Sequence, residues 1–194
     1  GRKGEGGFYK LINKNDKKIK YSLNLNTREY SISQKTKIEN FKLIKKDFKS
    51  YLTLQDNFSK YALHILSDVL YYVLSIAEKI SLDIVSIDEA MKNGFGWTIG
   101  PFEIIDQLGS SFLKEHFLNT NKNIPTLLED IGEDKFYIIE SNNIKYFDFI
   151  KKEYKILKRP EGVLLLCDIK KTQKPITKIN TASLWNIGDQ VTVF

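Results

Sequence analysis

Apolar and polar residues alternate in two stretches that flank a helical centre. Phe8 to Ile12, Ile19 to Leu25 and Arg28 to Ile32 read as short strands, separated by Asn13-Lys14-Asn15-Asp16-Lys17-Lys18 and by Asn26-Thr27. They predict a small antiparallel meander. The pattern returns near the other end, with Phe136 to Ile139, Ile144 to Ile150 and Glu153 to Leu157. Lys20-Tyr21 with Glu29-Tyr30 answers Lys145-Tyr146 with Glu153-Tyr154, which marks an internal repeat. One unit is therefore expected to end near residue 35, as the β-meander tail of a preceding helical repeat. A second is expected to occupy residues 36–159.

Between the two meanders the period lengthens to that of a helix. Asp56 or Asn57 can cap a helix reaching to about Ile80. Phe58, Ala62, Ile65, Val69, Val73, Ile76 and Ile80 form one apolar stripe, and Leu63, Leu66, Leu70, Leu74 and Ala77 form another. A helix apolar over most of its girth is expected to be central. Ser86-Ile87-Asp88-Glu89 reads as a capping box opening a short helix that stops at Asn93-Gly94. Pro101 after Gly100 opens the next, which Gly109 ends. Ser110 to Asn119 and Pro125 to Ile131 are two further short helices. After Pro160-Glu161-Gly162 the pattern predicts strands over Val163 to Ile169 and Thr177 to Ile187, then a turn at Gly188-Asp189-Gln190 into Val191 to Phe194. Residues 160–194 are read as a linker and the start of another domain. The fold class is mainly α, with small antiparallel β-hairpin appendages.

Composition narrows the function classes. The chain of 194 residues is 42% hydrophobic and 28% charged, within the globular range. Its net charge of +6 makes a basic module that binds nucleic acid an alternative to weigh. Only Arg2, Arg28 and Arg159 among the 30 basic residues are arginines, however, and the 12 Phe and 10 Tyr fall mostly at core positions. A solvated Lys-rich surface is expected, not a stacking platform for single strands. The one cysteine, Cys167, excludes a disulfide framework and a cysteine zinc site; its place in Val163-Leu164-Leu165-Leu166-Cys167 predicts a buried thiol. No secretory leader follows Gly1-Arg2-Lys3-Gly4, and Tyr61 to Ala77 is too interrupted by His64, Ser67, Asp68 and Ser75 to span a membrane. A cytoplasmic location is expected.

No catalytic, cofactor-binding or metal-binding residue is expected in the chain. Gly94-Phe95-Gly96-Trp97-Thr98-Ile99-Gly100 looks superficially like a dinucleotide fingerprint, but its glycines follow a helix where the fingerprint needs a strand. His64 and His116, the only histidines, have no serine nucleophile or metal-ligand spacing beside them and read as partly buried structural residues. Glu103 and Asp106, a turn apart, could pair as carboxylates, though the helix dipole at Glu103 explains it more simply. Trp97 and Phe102 are expected to be buried against the long helix.

Ile87-Asp88-Glu89-Ala90-Met91-Lys92-Asn93-Gly94-Phe95-Gly96-Trp97-Thr98-Ile99-Gly100-Pro101-Phe102-Glu103-Ile104-Ile105-Asp106-Gln107-Leu108-Gly109 resembles the C-terminal helical domain of 3-hydroxyacyl-CoA dehydrogenases, departing only at Thr98, where proline is usual. The opening Gly1-Arg2-Lys3-Gly4-Glu5-Gly6-Gly7-Phe8-Tyr9 is similar to the tail that closes the same domain. Ala182 to Val191 resembles the first hairpin of an enoyl-CoA hydratase (crotonase) domain. The resemblance implies a helical domain like the C-terminal domain of 6-phosphogluconate dehydrogenase, here the second repeat of a bacterial dehydrogenase–hydratase fusion protein. It implies NAD as the parent's cofactor, with none held by this segment, and an acyl-CoA substrate. The implied partners are a Rossmann domain and a first helical repeat upstream, and a second copy in a homodimer. The family's supporting asparagine, in a Val-Asn-Arg motif, would fall on Phe58-Ser59-Lys60, where Ser59 takes its place.

Overall fold

The computed structural model describes residues 4, 6–14, 17–35, 38 and 40–194. The chain divides into two compact units, Gly1–Phe41 and Lys42–Phe194. The first is the expected meander: β1 (Tyr9–Lys14), β2 (Lys17–Leu23) and β3 (Tyr30–Ile32) pair in that order, all antiparallel. The polar run read as the first turn supplies the ends of both strands instead, because Asn13 pairs with Lys18 and Lys14 with Lys17.

The second unit begins with two short helices that the pattern did not disclose, α1 (Leu43–Lys46) and α2 (Phe48–Leu52). Asp47 starts the latter by accepting a bond from the Ser50 amide at 3.0 Å, and Tyr51 and Leu52 carry it into the core. The long helix α3 (Asn57–Ile80) is capped by Asp56, whose carboxylate takes the amides of Phe58 and Ser59. Of the second stripe Leu70, Leu74 and Ala77 are buried; of the first Val73 is buried, but Phe58, Ile65 and Ile80 are exposed, as are Tyr61 and Tyr72 beside them. The helix is therefore covered on one side only, not enclosed as its all-round apolarity predicted.

Four helices close that covered side: α4 (Ile84–Phe95), α5 (Pro101–Leu108), α6 (Ser110–Asn119) and α7 (Thr126–Ile131). Helix α4 opens three residues earlier than its apparent capping box, because Asp83 and not Ser86 caps it, through the Ser86 amide at 2.7 Å. It continues past Gly94 to Gly96, whose left-handed φ of 69° ends it. Phe102 is fully buried and meets Phe136 edge-on at 4.9 Å, while Trp97 is only half-buried at the rim of the core. Core and first turn thus belong to α5, and the loop before it stays nearer the surface.

A second meander follows, β4 (Tyr137–Glu140), β5 (Asn143–Asp148) and β6 (Glu153–Ile156), again in sequential antiparallel order. Its bonds reproduce those of the first. The Leu23 amide donates to the Phe8 carbonyl as Phe147 does to Phe136, and Ser33 donates to Lys20 as Leu157 does to Ile144. The Tyr30 hydroxyl donates to the Gly7 carbonyl at 2.5 Å, as Tyr154 does to Lys135 at 2.6 Å. Phe8-Tyr9 thus corresponds to Phe136-Tyr137, and Glu29-Tyr30 to Glu153-Tyr154. The Lys-Tyr pairs do not correspond, for Tyr21 stands where Lys145 does. A slip of one residue reverses the face of a side chain, so that part of the sequence match was accidental.

The strand expected over Val163 to Ile169 is absent. Leu166–Thr172 forms helix α8, and Cys167 is exposed rather than buried. Asp168 and Lys171 lie a turn apart and bind Arg159 and Glu103 respectively, a helical spacing that the preceding leucines concealed. Beyond it, Thr177 to Ile187 breaks into β7 (Thr177–Lys178) and β8 (Ser183–Gly188), and β9 (Val191–Val193) pairs back onto β8. The hairpin expected over residues 182–194 is present, turned by Gly188, Asp189 and Gln190, all with positive φ. The coarse fold class holds: helices form the core and three small sheets are appended.

Truncating Phe102 to Ala should cost about 3–5 kcal/mol, the range for a buried aromatic. Trp97→Ala should cost clearly less, since much of that ring already meets water. Chemical denaturation checks the order; equal losses would show that the loop carries as much of the core as the helix does.

Candidate functional site

The segment from Asp88 to Asp106 carries a connected polar arrangement, and its layout follows from one deficiency. Helix α5 starts at Gly100-Pro101, so its N-cap has no side chain to receive the free amides of the first turn. Asp88, fourteen residues back on α4, takes that role. Its Oδ1 accepts the Phe102 amide at 2.8 Å and its Oδ2 the Glu103 amide at 3.3 Å. The carboxyl is fully buried against the glycine. A methyl carbon added to Gly100 would fall 2.2 Å from Asp88 Cγ, so glycine is the residue that admits the carboxylate.

Two more acids complete the arrangement. Glu103 folds back to accept the Gly100 amide at 2.8 Å and pairs with Lys92 at 2.7 Å and Lys171 at 2.6 Å. Asp106 leaves the helix in another direction and accepts the amides of Phe136 at 2.7 Å and Tyr137 at 2.8 Å, fixing the start of β4. The Tyr137 hydroxyl lies beside Asp88, which closes the circuit from β4 back to α4. The residues named from the sequence as a possible carboxylate pair, Glu103 and Asp106, line one small cleft with Tyr137 and Lys171 but bind different partners. The amides they serve lie at opposite ends of the motif.

Burial separates the protonation behaviour of the three acids. It pushes Asp88 up to about 7 despite the Phe102 amide, and Asp106 up to about 6 despite those of Phe136 and Tyr137. Burial opposes the charge of Glu103 as well, but Lys171, Lys92 and the Gly100 amide overcome it and hold that carboxyl at about 2. The Tyr137 phenol is raised, first by burial and then by the Asp88 charge.

A cleft of about 540 Å³ opens beside this network, lined among others by Lys92, Thr98, Glu103, Tyr137, Arg159 and Lys171. Its cations are already partnered. Lys92 and Lys171 hold Glu103, and Arg159 holds Glu89 and, through Nε at 2.7 Å, Asp168. The first-turn amides of α5 are taken by Asp88, so a pyrophosphate could not be received there as a dinucleotide fingerprint requires. Among the described residues no cluster of His, Cys, Asp and Glu fits a metal ion.

The histidines fall elsewhere. His64 is exposed, contrary to expectation, and its Nε2 lies 3.9 Å from Asp68 on the same helix. His116 is partly buried and does meet a serine: its Nε2 lies 3.1 Å from Ser67 Oγ. Sequence reasoning missed this pair because 49 residues separate its members. Ser67 Oγ also lies 3.0 Å from the His64 carbonyl, a second partner for its one hydroxyl hydrogen. Burial, then Lys122, lowers the His116 pKa. Neither residue lines the cleft, and the pair pins α6 to α3. Ser59, at the position of the family's asparagine, is fully buried and donates to Asp56 at 2.7 Å. It belongs to the helix cap.

Residues 61–129 match the family described as "3-hydroxyacyl-CoA dehydrogenase, C-terminal domain". Those residues are similar to that domain, and the Asp88–Asp106 network lies inside them. Among curated relatives, the "Probable 3-hydroxyacyl-CoA dehydrogenase" of Bacillus subtilis (strain 168) is 32% identical over 200 residues, which cover 98% of this chain and 25% of that protein. The "Putative fatty acid oxidation complex trifunctional enzyme" of Rickettsia felis is 39% identical over 106 residues, 54% of this chain and 14% of that one. Its namesake in Rickettsia prowazekii is 35% identical over 105 residues. The chain thus spans a quarter or less of the length of these relatives. No solved structure matches it.

The pH dependence of stability tests the burial argument. Asp88 and Asp106 bind protons more tightly folded than unfolded, since their ordinary value is 3.8. Their contribution is therefore full below about pH 3.8, declines as pH rises above that value and is lost by about 6 to 7. Glu103 acts in the opposite sense, losing its contribution as pH falls from 4.5 toward about 2. On these three groups the melting temperature should be highest near about pH 4, fall toward pH 7 and level off above it, and Asp88→Asn should flatten most of that fall. A melting temperature that rises from pH 5 to pH 8 would refute the buried-carboxyl account.

Proposed function

We propose that the chain is the structural and substrate-wall portion of an NAD-dependent 3-hydroxyacyl-CoA dehydrogenase of fatty-acid β-oxidation. On this reading it is inactive by itself. The observation that carries the proposal is the use made of the family motif. Asp88, Glu103 and Asp106 serve backbone amides or lysines, and none is left facing the cleft as an unengaged acid or base. Such a motif holds a scaffold together. The nicotinamide and the reacting groups would come from a Rossmann domain in the same polypeptide, and the acyl-CoA would lie against a wall that includes this segment. The names of the relatives point to the same chemistry.

The organisation that goes with it is a meander tail over residues 1–35, a helical domain over 36–159 and a linker with the start of a crotonase-like domain over 160–194. The helical domain is assigned to the class of the 6-phosphogluconate dehydrogenase C-terminal domain, in a cytoplasmic enzyme. Among the described residues no helix is long and apolar enough to cross a membrane. The exposed stripe of α3, with Phe58, Tyr61, Ile65 and Tyr72, is the face that would meet a second copy in a homodimer. Among the described residues no geometric feature favours the nucleic-acid alternative. In the cleft every cation named is paired with a carboxylate.

Two measurements test the proposal. The purified chain, mixed with NAD and a 3-hydroxyacyl-CoA, should give no turnover above a buffer blank and no NAD-dependent shift in melting. Measurable hydride transfer would contradict it. Sedimentation at tens of micromolar should show a dimer that Ile65→Lys dissociates, while a monomer in the parent chain would remove the α3 face from the account.

A further inference from the structure

The two meanders share one bond frame, but the hairpin of the first outgrows it. Beyond Tyr137, β4 and β5 form three further pairs, ending at Glu140 and Asn143, and Ser141-Asn142 turns the chain with positive φ at both residues. Beyond Tyr9, the counterpart of Tyr137, β1 and β2 form five further pairs and end at Lys14 and Lys17. Ile12 opposite Ile19 therefore stands where Glu140 opposite Asn143 does, and the pairs Asn13–Lys18 and Lys14–Lys17 have no counterpart. Two extra residues on each strand carry this finger about 7 Å past the frame.

The extension is basic. Lys14, Lys17 and Lys18 lie on it, all exposed. Lys14 and Lys17 are directly opposite, a like-charge pair that weakens a hairpin left to itself. The lysines nearer the frame are engaged, Lys10 over the Tyr30 ring at 4.0 Å and Lys20 over that of Tyr9 at 3.9 Å. Ten of the 30 basic residues but four of the 24 acidic ones lie in residues 1–41, so the first unit carries the whole net charge of +6. The positions just behind the tip stay in water even in the second meander, against which α4 and α5 pack. There Ile139, the counterpart of Leu11, is 55% exposed, and Glu140, the counterpart of Ile12, is exposed too. In the first hairpin both places are apolar, Leu11 65% and Ile12 37% exposed.

We infer that the finger Leu11–Lys20 is a peripheral contact for an anionic lipid surface. Lys14, Lys17 and Lys18 meet the headgroups, while Leu11 and Ile12 lie at the boundary with the acyl chains. Cations beside exposed aliphatic side chains are the combination that an interfacial site uses. The choice of cation fits as well. Lysine is a hydrated point charge on a flexible stem and suits a diffuse field of headgroups. Arginine, which grips single phosphates through its fork, is absent from the finger. A nucleic acid would engage the lysines but would gain nothing from Leu11 and Ile12, since its bases stack on aromatic rings. The contact lies outside the proposed dehydrogenase chemistry, so either reading can fail while the other stands.

Co-sedimentation of the full chain with vesicles tests this. Phosphatidylcholine vesicles containing about one-third phosphatidylglycerol should bind it at about 0.05 M salt and release it at about 0.5 M, where surface charge is screened. Pure phosphatidylcholine vesicles should not bind it. The triple variant Lys14→Glu, Lys17→Glu, Lys18→Glu should bind the anionic vesicles at least about tenfold more weakly. A second variant, in which Ser-Asn replaces residues 13–18, trims the hairpin to the length of its counterpart. It should lose binding to the same degree while keeping the dispersed amide resonances of β2 and β3. Binding of neutral and anionic vesicles alike would overturn the inference, as would a trimmed chain that binds as tightly as the parent, or no binding to either vesicle. A folded RNA held more tightly than the anionic vesicles, through the same three lysines, would overturn the lipid assignment in favour of nucleic acid.

Discussion

A buried carboxylate under the first turn of a helix is the constraint on which the second unit depends. Helix α5 begins with a residue that has no side chain, and Asp88 satisfies two of its amides from another helix. That single choice fixes several others. Gly100 must lack a Cβ, α4 must end close enough for Asp88 to reach, and the left-handed Gly96 provides the reversal. Once α5 is placed, Glu103 can gather Lys92 and Lys171, and Asp106 can seize the first residues of β4. The energetics are asymmetric. Such bonds add modestly to stability when made, but leaving a buried amide or carboxylate unpaired costs about 1–3 kcal/mol or more. A motif of this kind resists piecemeal change because each member would leave another unsatisfied.

On the reading proposed above, a sequence signature can be long and specific because it builds a scaffold. The acids of residues 87–109 have shifted protonation and sit beside a cleft, two features that often mark an active site. Their partners decide the matter. Asp88 and Asp106 face backbone amides, and Glu103 faces an amide and two lysines. The family to which residues 61–129 are similar is named for a dehydrogenase, but this segment contributes position and wall, on the reading proposed above.

Much of this architecture was legible in the residues. The Asp56 cap, the span of α3, Pro101 opening α5, the bounds of α6 and both meanders follow from local rules of period and capping. What escaped was set by distance or by competition. Asp88 reads locally as part of a capping box at Ser86, and only the fold shows it capping a different helix. The run Val163 to Cys167 has the period of a strand, but Asp168 and Lys171 are drawn a turn apart by Arg159 and Glu103, and α8 forms instead. The repeat was visible in Glu29-Tyr30 and Glu153-Tyr154 because each tyrosine must reach back to a carbonyl. It was misread at the Lys-Tyr pairs, where nothing structural holds the match. The two sides of α3 could not be told apart, since both are apolar and only packing distinguishes them.

Native-state hydrogen exchange measures the central constraint most directly. In the parent chain the Phe102 and Glu103 amides should exchange only through large-scale opening, as slowly as the core amides of α5 behind them. In Asp88→Ala they should become the least protected amides of that helix, while the Asp56-capped amides of Phe58 and Ser59 keep their rates. If Phe102 and Glu103 stay as protected in the variant as in the parent, Asp88 is not what holds the start of α5, and the scaffold account of the motif is contradicted.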